Sequence, residues 1–72
     1  MPDFTREELA AQLQHLFEGR GIVGKDDIIR ELTRRHAPVA MTLLLDERLP
    51  RELRIGELRP LWEYLHDVPL RR

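Results

Sequence analysis

The side chains that could do chemistry in this chain are few, and the commonest nucleophiles are missing. The 72 residues include eleven arginines and one lysine but no serine, asparagine or cysteine. Serine and cysteine are the residues that most often form covalent intermediates. The remaining candidates are Thr5, Thr33, Thr42, Tyr64 and Lys25. Because no histidine or acid is placed by the sequence to activate any of them, we predict that the protein is not an enzyme.

The histidines and glycines are the residues to consider for a metal or cofactor. His15, His36 and His66 are too far apart in sequence for two of them to share one turn of helix. Glu63 and His66 have the Glu-x-x-His spacing of di-metal bundles, but such a bundle needs this motif twice and two more glutamates. The pattern Gly19-x-Gly21-x-x-Gly24 matches a dinucleotide fingerprint but does not follow a strand. We therefore predict no metal and no cofactor.

Most arginines have acidic neighbours. The chain has twelve basic and thirteen acidic side chains and a formal net charge of -1, unlike the basic excess of a domain that binds nucleic acid. Arg30 follows Asp26 by four residues, and Arg34 and Arg35 follow Glu31 by three and four. Acid before base at this spacing stabilises a helix. These arginines are predicted to form a salt-bridged face towards solvent.

A smaller group around Leu49-Pro50 lacks such acidic neighbours and is the predicted partner-binding surface. It contains Arg48, Arg51 and Arg54, and we add Tyr64, which lies at the edge of the last apolar stripe. Arginine and tyrosine are enriched at protein interfaces. The alternatives for these arginines are a solvated face and a nucleic-acid contact.

The nucleic-acid alternative is weakened by the sequence of the third predicted helix. In a helix-turn-helix, the second helix presents polar side chains to the base edges. Here that helix would be Val39–Leu45, in which Thr42 is the polar residue. Nucleic-acid binding is therefore the second hypothesis, after protein binding.

Four short helices are predicted to position these residues. Thr5 and Glu8 form a capping box at the start of the first helix, which ends at Gly19–Gly21. Gly24 opens the second helix, with Asp26 and Asp27 in the first turn, where the helix dipole favours acids. The third helix begins at Pro38 and is apolar on every side, so we expect it to be buried on every side as the central element.

The last third of the chain combines an extended segment with a fourth helix. Leu53 and Ile55 alternate with charged residues, which predicts a strand segment that pairs with Ile22-Val23. Gly56 and Glu57 begin the fourth helix, and Pro69 ends it. Residues 69–72 are predicted to be a frayed tail.

The length predicts one domain, residues 1–72. A core of this size supplies only about 3–5 kcal/mol of net stability, so either the helices pack very well or a second copy completes the core. The longest apolar stretch, Pro38–Leu45, is far shorter than the ~20 residues of a membrane span. With no signal pattern at its start, the sequence predicts a cytoplasmic protein without a membrane partner.

Residues from Val23 to Leu65 follow a recognisable layout. Its features are the helix opening at Gly24–Ile29, the break at Ala37, the segment Leu44–Pro50 and the last helix opening at Glu57-Leu58. This layout resembles a small prokaryotic family, the domain-of-unknown-function family 2795. The capped first helix and Trp62-Glu63-Tyr64 depart from that family's pattern. The resemblance implies a compact bacterial helical domain with no assigned activity, so it transfers no functional residues.

Together these observations predict a mostly α, single compact domain of four short helices with at most one minimal two-stranded β pairing. The predicted function is that of a small non-enzymatic interaction module or subunit. Its partner is expected to be another protein or a second copy of the chain.

Overall fold

Three α-helices, one short 3₁₀ helix and a two-stranded sheet make up the regular structure of the described residues. A computed structural model describes residues 4–19 and 21–71 of the chain. In chain order the elements are α1 (Arg6–Glu18), β1 (Val23–Gly24), α2 (Lys25–Arg34), α3 (Val39–Arg48), β2 (Arg54–Ile55) and the 3₁₀ helix (Arg59–Glu63). The prediction of a small, mostly helical fold with a minimal strand pair is confirmed.

Helix α1 begins with the predicted capping box. The Thr5 hydroxyl accepts a hydrogen bond from the Glu8 amide at 3.1 Å, and the Glu8 carboxylate accepts one from the Thr5 amide at 2.8 Å. Phe4 and Leu9, on either side of the cap, are both buried in the core. The cap therefore fixes the start of α1, and the apolar residues beside it fix the angle at which the helix enters the core.

Helix α2 is the central element, because it packs against α1, α3 and β1. Gly24 precedes its first turn, and the Asp27 carboxylate accepts a hydrogen bond from the Gly24 amide at 3.0 Å. Ile28 and Leu32 are fully buried. The expectation that α3 is the central helix was wrong.

Helix α3 is buried on one side and exposed on the other. Met41 and Leu45 face the core, whereas Val39 and Leu43 are 70% and 62% exposed. The sequence is apolar on all sides of this helix, which predicts complete burial. Among the described residues, however, the other elements leave the side of α3 with Val39 and Leu43 uncovered.

The strand pair is antiparallel, with Val23 opposite Ile55 and Gly24 opposite Arg54. The sequence predicted a pairing of Ile22-Val23 with Leu53–Ile55, so the pairing is confirmed with β1 displaced by one residue. Val23, Leu53 and Ile55 are buried. The predicted alternation of inward and outward side chains therefore holds from Glu52 to Ile55.

The predicted fourth helix is instead a 3₁₀ helix followed by turns. Its hydrogen bonds span three residues, for example from the Leu61 amide to the Leu58 carbonyl and from the Tyr64 amide to the Leu61 carbonyl. Pro60 accounts for the late start, because proline has no N–H group and clashes with the preceding turn of an α-helix. The predicted inward residues Leu61 and Leu65 are nevertheless fully buried.

The segment after the 3₁₀ helix covers the start of α1. The Arg6 amide donates to the Pro69 carbonyl at 2.8 Å, and the Glu7 amide donates to the Leu70 carbonyl at 3.1 Å. The first N–H groups of an α-helix lack partners within the helix, and these two carbonyls supply them. Pro69 and Leu70, predicted to fray, are thus hydrogen-bonded, and Arg72 lies outside the described residues.

Candidate functional site

The predicted site residue Arg48, at the end of α3, is held by an internal ion pair. Its two terminal nitrogens donate to the two carboxylate oxygens of Asp67 at 2.8 and 2.9 Å, a bidentate arrangement that is the strongest geometry for this pair. A further hydrogen bond runs to the Tyr64 carbonyl at 3.3 Å. The Arg48 hydrogen bond lowers the pKa of Asp67 from 3.8 to about 2. Arg48 therefore joins α3 to the C-terminal segment.

This pairing corrects the expectation that Arg48 lacks an acidic partner. Asp67 lies 19 residues further along the chain, so helical spacing gave no sign of it. Tyr64, the other predicted residue of the last segment, is partly buried and packs against the core. Its carbonyl contacts Arg48, but neither residue lines the surface groove that contains the other two predicted arginines.

Arg51 and Arg54 lie together on an open groove of about 470 Å³ between the start of α2 and the turn before β2. We call it the charged groove. It is lined by Ile22, Gly24, Lys25, Asp26, Asp27, Arg30, Arg51, Glu52, Leu53 and Arg54. The structure thus brings two of the four predicted site residues into one surface.

The walls of the charged groove are fixed by the core beneath it. Leu53 is buried, and its amide donates to the Pro50 carbonyl at 3.1 Å, which closes the turn. The alternation along this segment then turns Arg54 outward. Gly24, on the opposite wall, packs closely against the Leu53 backbone, since a Cβ atom added to Gly24 would lie 3.3 Å from the Leu53 carbonyl oxygen.

Lys25 contributes to the groove from its base and is already paired. Its Nζ donates to the Asp46 carbonyl at 2.7 Å and lies 3.4 Å from the Asp46 carboxylate. The contact joins the first turn of α2 to the last turn of α3. Lys25 is therefore a structural cation, in contrast to the two arginines across the groove.

Four charged side chains of the groove make no hydrogen bond or ion pair within residues 4–19 and 21–71. They are Arg51, Arg54, Asp26 and Glu52. All four are exposed to solvent. The groove therefore presents two positive and two negative groups that are free to pair with a partner.

The predicted salt bridges of α2 are partly as expected. Glu31 is nearly buried, and its carboxylate accepts a hydrogen bond from the Arg34 guanidinium at 2.9 Å. The Arg35 guanidinium lies 3.8 Å from the same carboxylate. Arg30, however, lies 3.8 Å from Asp27 rather than pairing with Asp26. Asp26 consequently faces the charged groove without that partner.

Three apolar positions predicted to be inward or in a strand are exposed. Ile22, predicted to be a strand residue, lies just before β1, is 57% exposed and lines the charged groove. Val39 and Leu43, predicted to be core residues, are exposed on α3. No pattern in the sequence separates these residues from their buried neighbours, because exposure here depends on how the described elements pack.

The histidines are dispersed. His15 lies 3.2 Å from Glu18 on α1, and His36 and His66 are exposed on other parts of the molecule. Within the described ranges, no three histidine or acidic side chains are grouped so that they could hold a metal ion.

Comparisons with protein-family models, with curated proteins and with solved structures found no match to this chain. The resemblance seen between Val23 and Leu65 therefore stays a prediction. No helix in the part of the chain described by the structure has the length and apolar character needed to cross a membrane.

Proposed function

We propose that this protein is a small non-enzymatic binding module that acts in the cytoplasm and holds a protein partner in the charged groove. The observation that carries the proposal is the set of exposed, unpaired charges on that groove: Arg51, Arg54, Asp26 and Glu52. Arg48 and Tyr64 do not line this groove and are not part of the proposed partner contact.

The apolar component of the groove supports a protein partner. Ile22 is largely exposed at the groove's edge, beside the two free arginines. An interface typically combines apolar contact with charges that fix the register of the partner. The charged groove offers both within one concave surface.

Mixed charge favours a protein over a nucleic acid as the ligand. Four basic and three acidic side chains line the groove, so a phosphate backbone that approached Arg51 and Arg54 would also approach Asp26 and Glu52. A protein partner can present both signs of charge and pair with all four. Nucleic acid is the alternative ligand. Replacing Glu52 by lysine should weaken the binding of a protein and strengthen the binding of a nucleic acid, which distinguishes the two.

The test uses charge reversal with a matched control. Tagged wild-type protein is incubated with a lysate of its native host and compared with the Arg51→Glu/Arg54→Glu variant. The control is Arg59→Glu/Arg71→Glu, which makes the same change in net charge at exposed positions outside the groove. We expect a captured protein that is lost with the groove variant and kept with the control.

Glu52→Lys decides the class of ligand. A protein partner that pairs with both signs of charge should bind this variant more weakly, whereas a polyanion should bind it more tightly. Fluorescence anisotropy with duplex DNA at ~50 mM salt measures the second possibility directly, because phosphate contacts are strongest at low salt. Capture that is equal for the groove variant and the control, or no capture at all, would contradict the proposal.

A further inference from the structure

The charged groove adjoins a second concavity, and the two share a border. The second concavity has a volume of about 540 Å³ and is lined by Lys25 and Asp26 in the first turn of α2, by Asp46 in the last turn of α3 and by Arg51. Three of these residues, Lys25, Asp26 and Arg51, also line the charged groove. They form the border between the two concavities, which we call the central ridge. This surface therefore consists of a ridge with a depression on each side.

The exposed charges on the ridge and the groove are balanced in sign and unpaired within residues 4–19 and 21–71. They are Asp26, Arg51, Glu52 and Arg54. Arginine, aspartate and glutamate are all ionised at neutral pH. The other ion pairs of this surface lie within the chain, since Lys25 contacts Asp46 and Arg30 lies 3.8 Å from Asp27. Two positive and two negative groups are thus free for a partner.

A surface that carries free charges of both signs in equal number can pair with a copy of itself. In a two-fold interface the same patch serves both protomers, so each positive group of one copy can meet a negative group of the other. The shape is self-complementary in the same way, because a ridge beside a groove can fit the groove beside a ridge. A partner with charge of one sign would leave two of the four groups unpaired.

We propose that the charged groove binds a second copy of this chain, with the central ridge of each copy seated in the charged groove of the other. The two free arginines of each copy, Arg51 and Arg54, then face the two free acids of the other, Asp26 and Glu52. Ile22, 57% exposed at the edge of the groove, is covered in the same contact. This inference rests on the proposed function, because it names the protein partner of the same groove.

The composition of the surface determines the strength of this association. Ile22 is the large, mainly exposed apolar side chain that the groove offers, and contacts between exposed charges are individually weak. We therefore expect a rapidly exchanging dimer with a Kd on the order of 100 µM. The Kd should rise several-fold between ~50 mM and ~500 mM salt, because salt screens exposed charges.

Sedimentation equilibrium of two charge-reversed variants, alone and mixed, tests the proposal. Arg51→Glu/Arg54→Glu makes all four free groups acidic, and Asp26→Lys/Glu52→Lys makes all four basic. Each variant alone should stay monomeric, because like charges then face each other across the two-fold axis. An equimolar mixture should associate at least as tightly as the wild type, because every facing pair is again of opposite sign.

A matched pair of variants controls for the general attraction between oppositely charged proteins. Arg59→Glu/Arg71→Glu and Glu47→Lys/Glu63→Lys make the same changes in net charge at exposed positions outside both concavities. Each control variant alone should associate much like the wild type. Mixing the two control variants should give no gain comparable with that of the groove variants.

Circular dichroism shows whether each variant is folded. Asp26 lies in the first turn of α2, where the helix dipole favours an acid over a lysine. If Asp26→Lys unfolds the protein, Glu52→Lys alone takes its place in the same mixing experiment, because Glu52 is exposed on a turn. The mixture with Arg51→Glu/Arg54→Glu should still associate more tightly than either variant alone.

Three results would overturn the inference. They are a wild-type protein that stays monomeric at ~1 mM, tenfold above the expected Kd, self-association that the groove variants leave unchanged, and a mixture of folded groove variants that does not associate. The proposed function fails on a different observation, the lack of any groove-dependent capture from the host lysate. A monomeric chain whose groove still captures a different host protein would therefore contradict this inference and leave the proposed function standing.

Discussion

Leu43 and Leu45 are the same residue type on the same helix, yet the structure gives them opposite environments. Leu45 is completely buried, and Leu43 is 62% exposed. Replacing a buried leucine by alanine costs about 2–5 kcal/mol. Leu43 has little more than a third of its surface buried, and full burial of a leucine is worth about 1.5–3 kcal/mol. We therefore expect Leu43→Ala to cost less than about 1 kcal/mol.

The consequence for the whole protein is large. If the net stability is about 3–5 kcal/mol, Leu45→Ala removes most of it. The midpoint of thermal unfolding should fall by about 10–30 °C, since about 1 kcal/mol corresponds to 4–8 °C in a domain of this size. Leu43→Ala should leave the midpoint within a few degrees of the wild type.

Urea denaturation followed by circular dichroism measures both free energies of unfolding. The protein should be kept at low micromolar concentration, so that the measured free energies refer to the isolated chain. Equal costs for the two substitutions, or a larger cost for Leu43→Ala, would refute the one-sided burial of α3. Complete burial of the helix, as its apolar sequence suggests, predicts that equality.

Two further substitutions test contacts elsewhere in the fold. Asp67→Asn should destabilise the protein at neutral pH. Pairing with Arg48 lowers the Asp67 pKa from 3.8 to about 2. The stability that the ionised Asp67 contributes is therefore present above pH 3.8 and is lost as the pH falls through about 2. Urea midpoints of the variant and the wild type should therefore converge near pH 2, and a difference that does not change with pH would contradict the pairing. Thr5→Ala should lower the free energy of unfolding by about 1 kcal/mol, because the helix cap is lost. The control, Thr33→Ala at an exposed position, should change it by less than about 0.5 kcal/mol. Similar costs at the two sites would count against the cap.

The local features of the fold could be predicted from the sequence. The capping box of Thr5 and Glu8, the opening of α2 at Gly24 and the alternation from Glu52 to Ile55 each depend on residues close together in the chain. Their geometry is determined by short-range hydrogen bonds and by the period of the apolar residues. The structure confirms all three.

Features that depend on distant residues could not be predicted in this way. The Arg48–Asp67 pair joins residues that are 19 positions apart in the chain, so no local pattern indicates it. The exposure of Leu43 likewise depends on how the described elements pack around α3, which leaves this side of the helix uncovered. Periodicity identifies apolar positions, but it does not say which side of an all-apolar helix faces the core.

The candidate site was likewise predictable only in part. Arg51 and Arg54 are exposed on one groove, as their lack of helical partners suggested. Arg48 and Tyr64 are close to these arginines in sequence or on an adjacent predicted element, but in the structure both belong to the contact between α3 and the C-terminal segment. The sequence gives no sign that Asp26 and Glu52 lie on the same groove as the arginines.

The central claim is that the charged groove binds a protein partner through charges of both signs. Once the captured protein is identified, its titration into isotopically labelled chain, followed by amide NMR shifts, tests this most directly. We predict that the largest shifts occur around Ile22, Asp26 and Arg51–Arg54, with small shifts along the exposed side of α3. Shifts concentrated on α3 or around Arg48 and Tyr64, with the groove unchanged, would contradict the account.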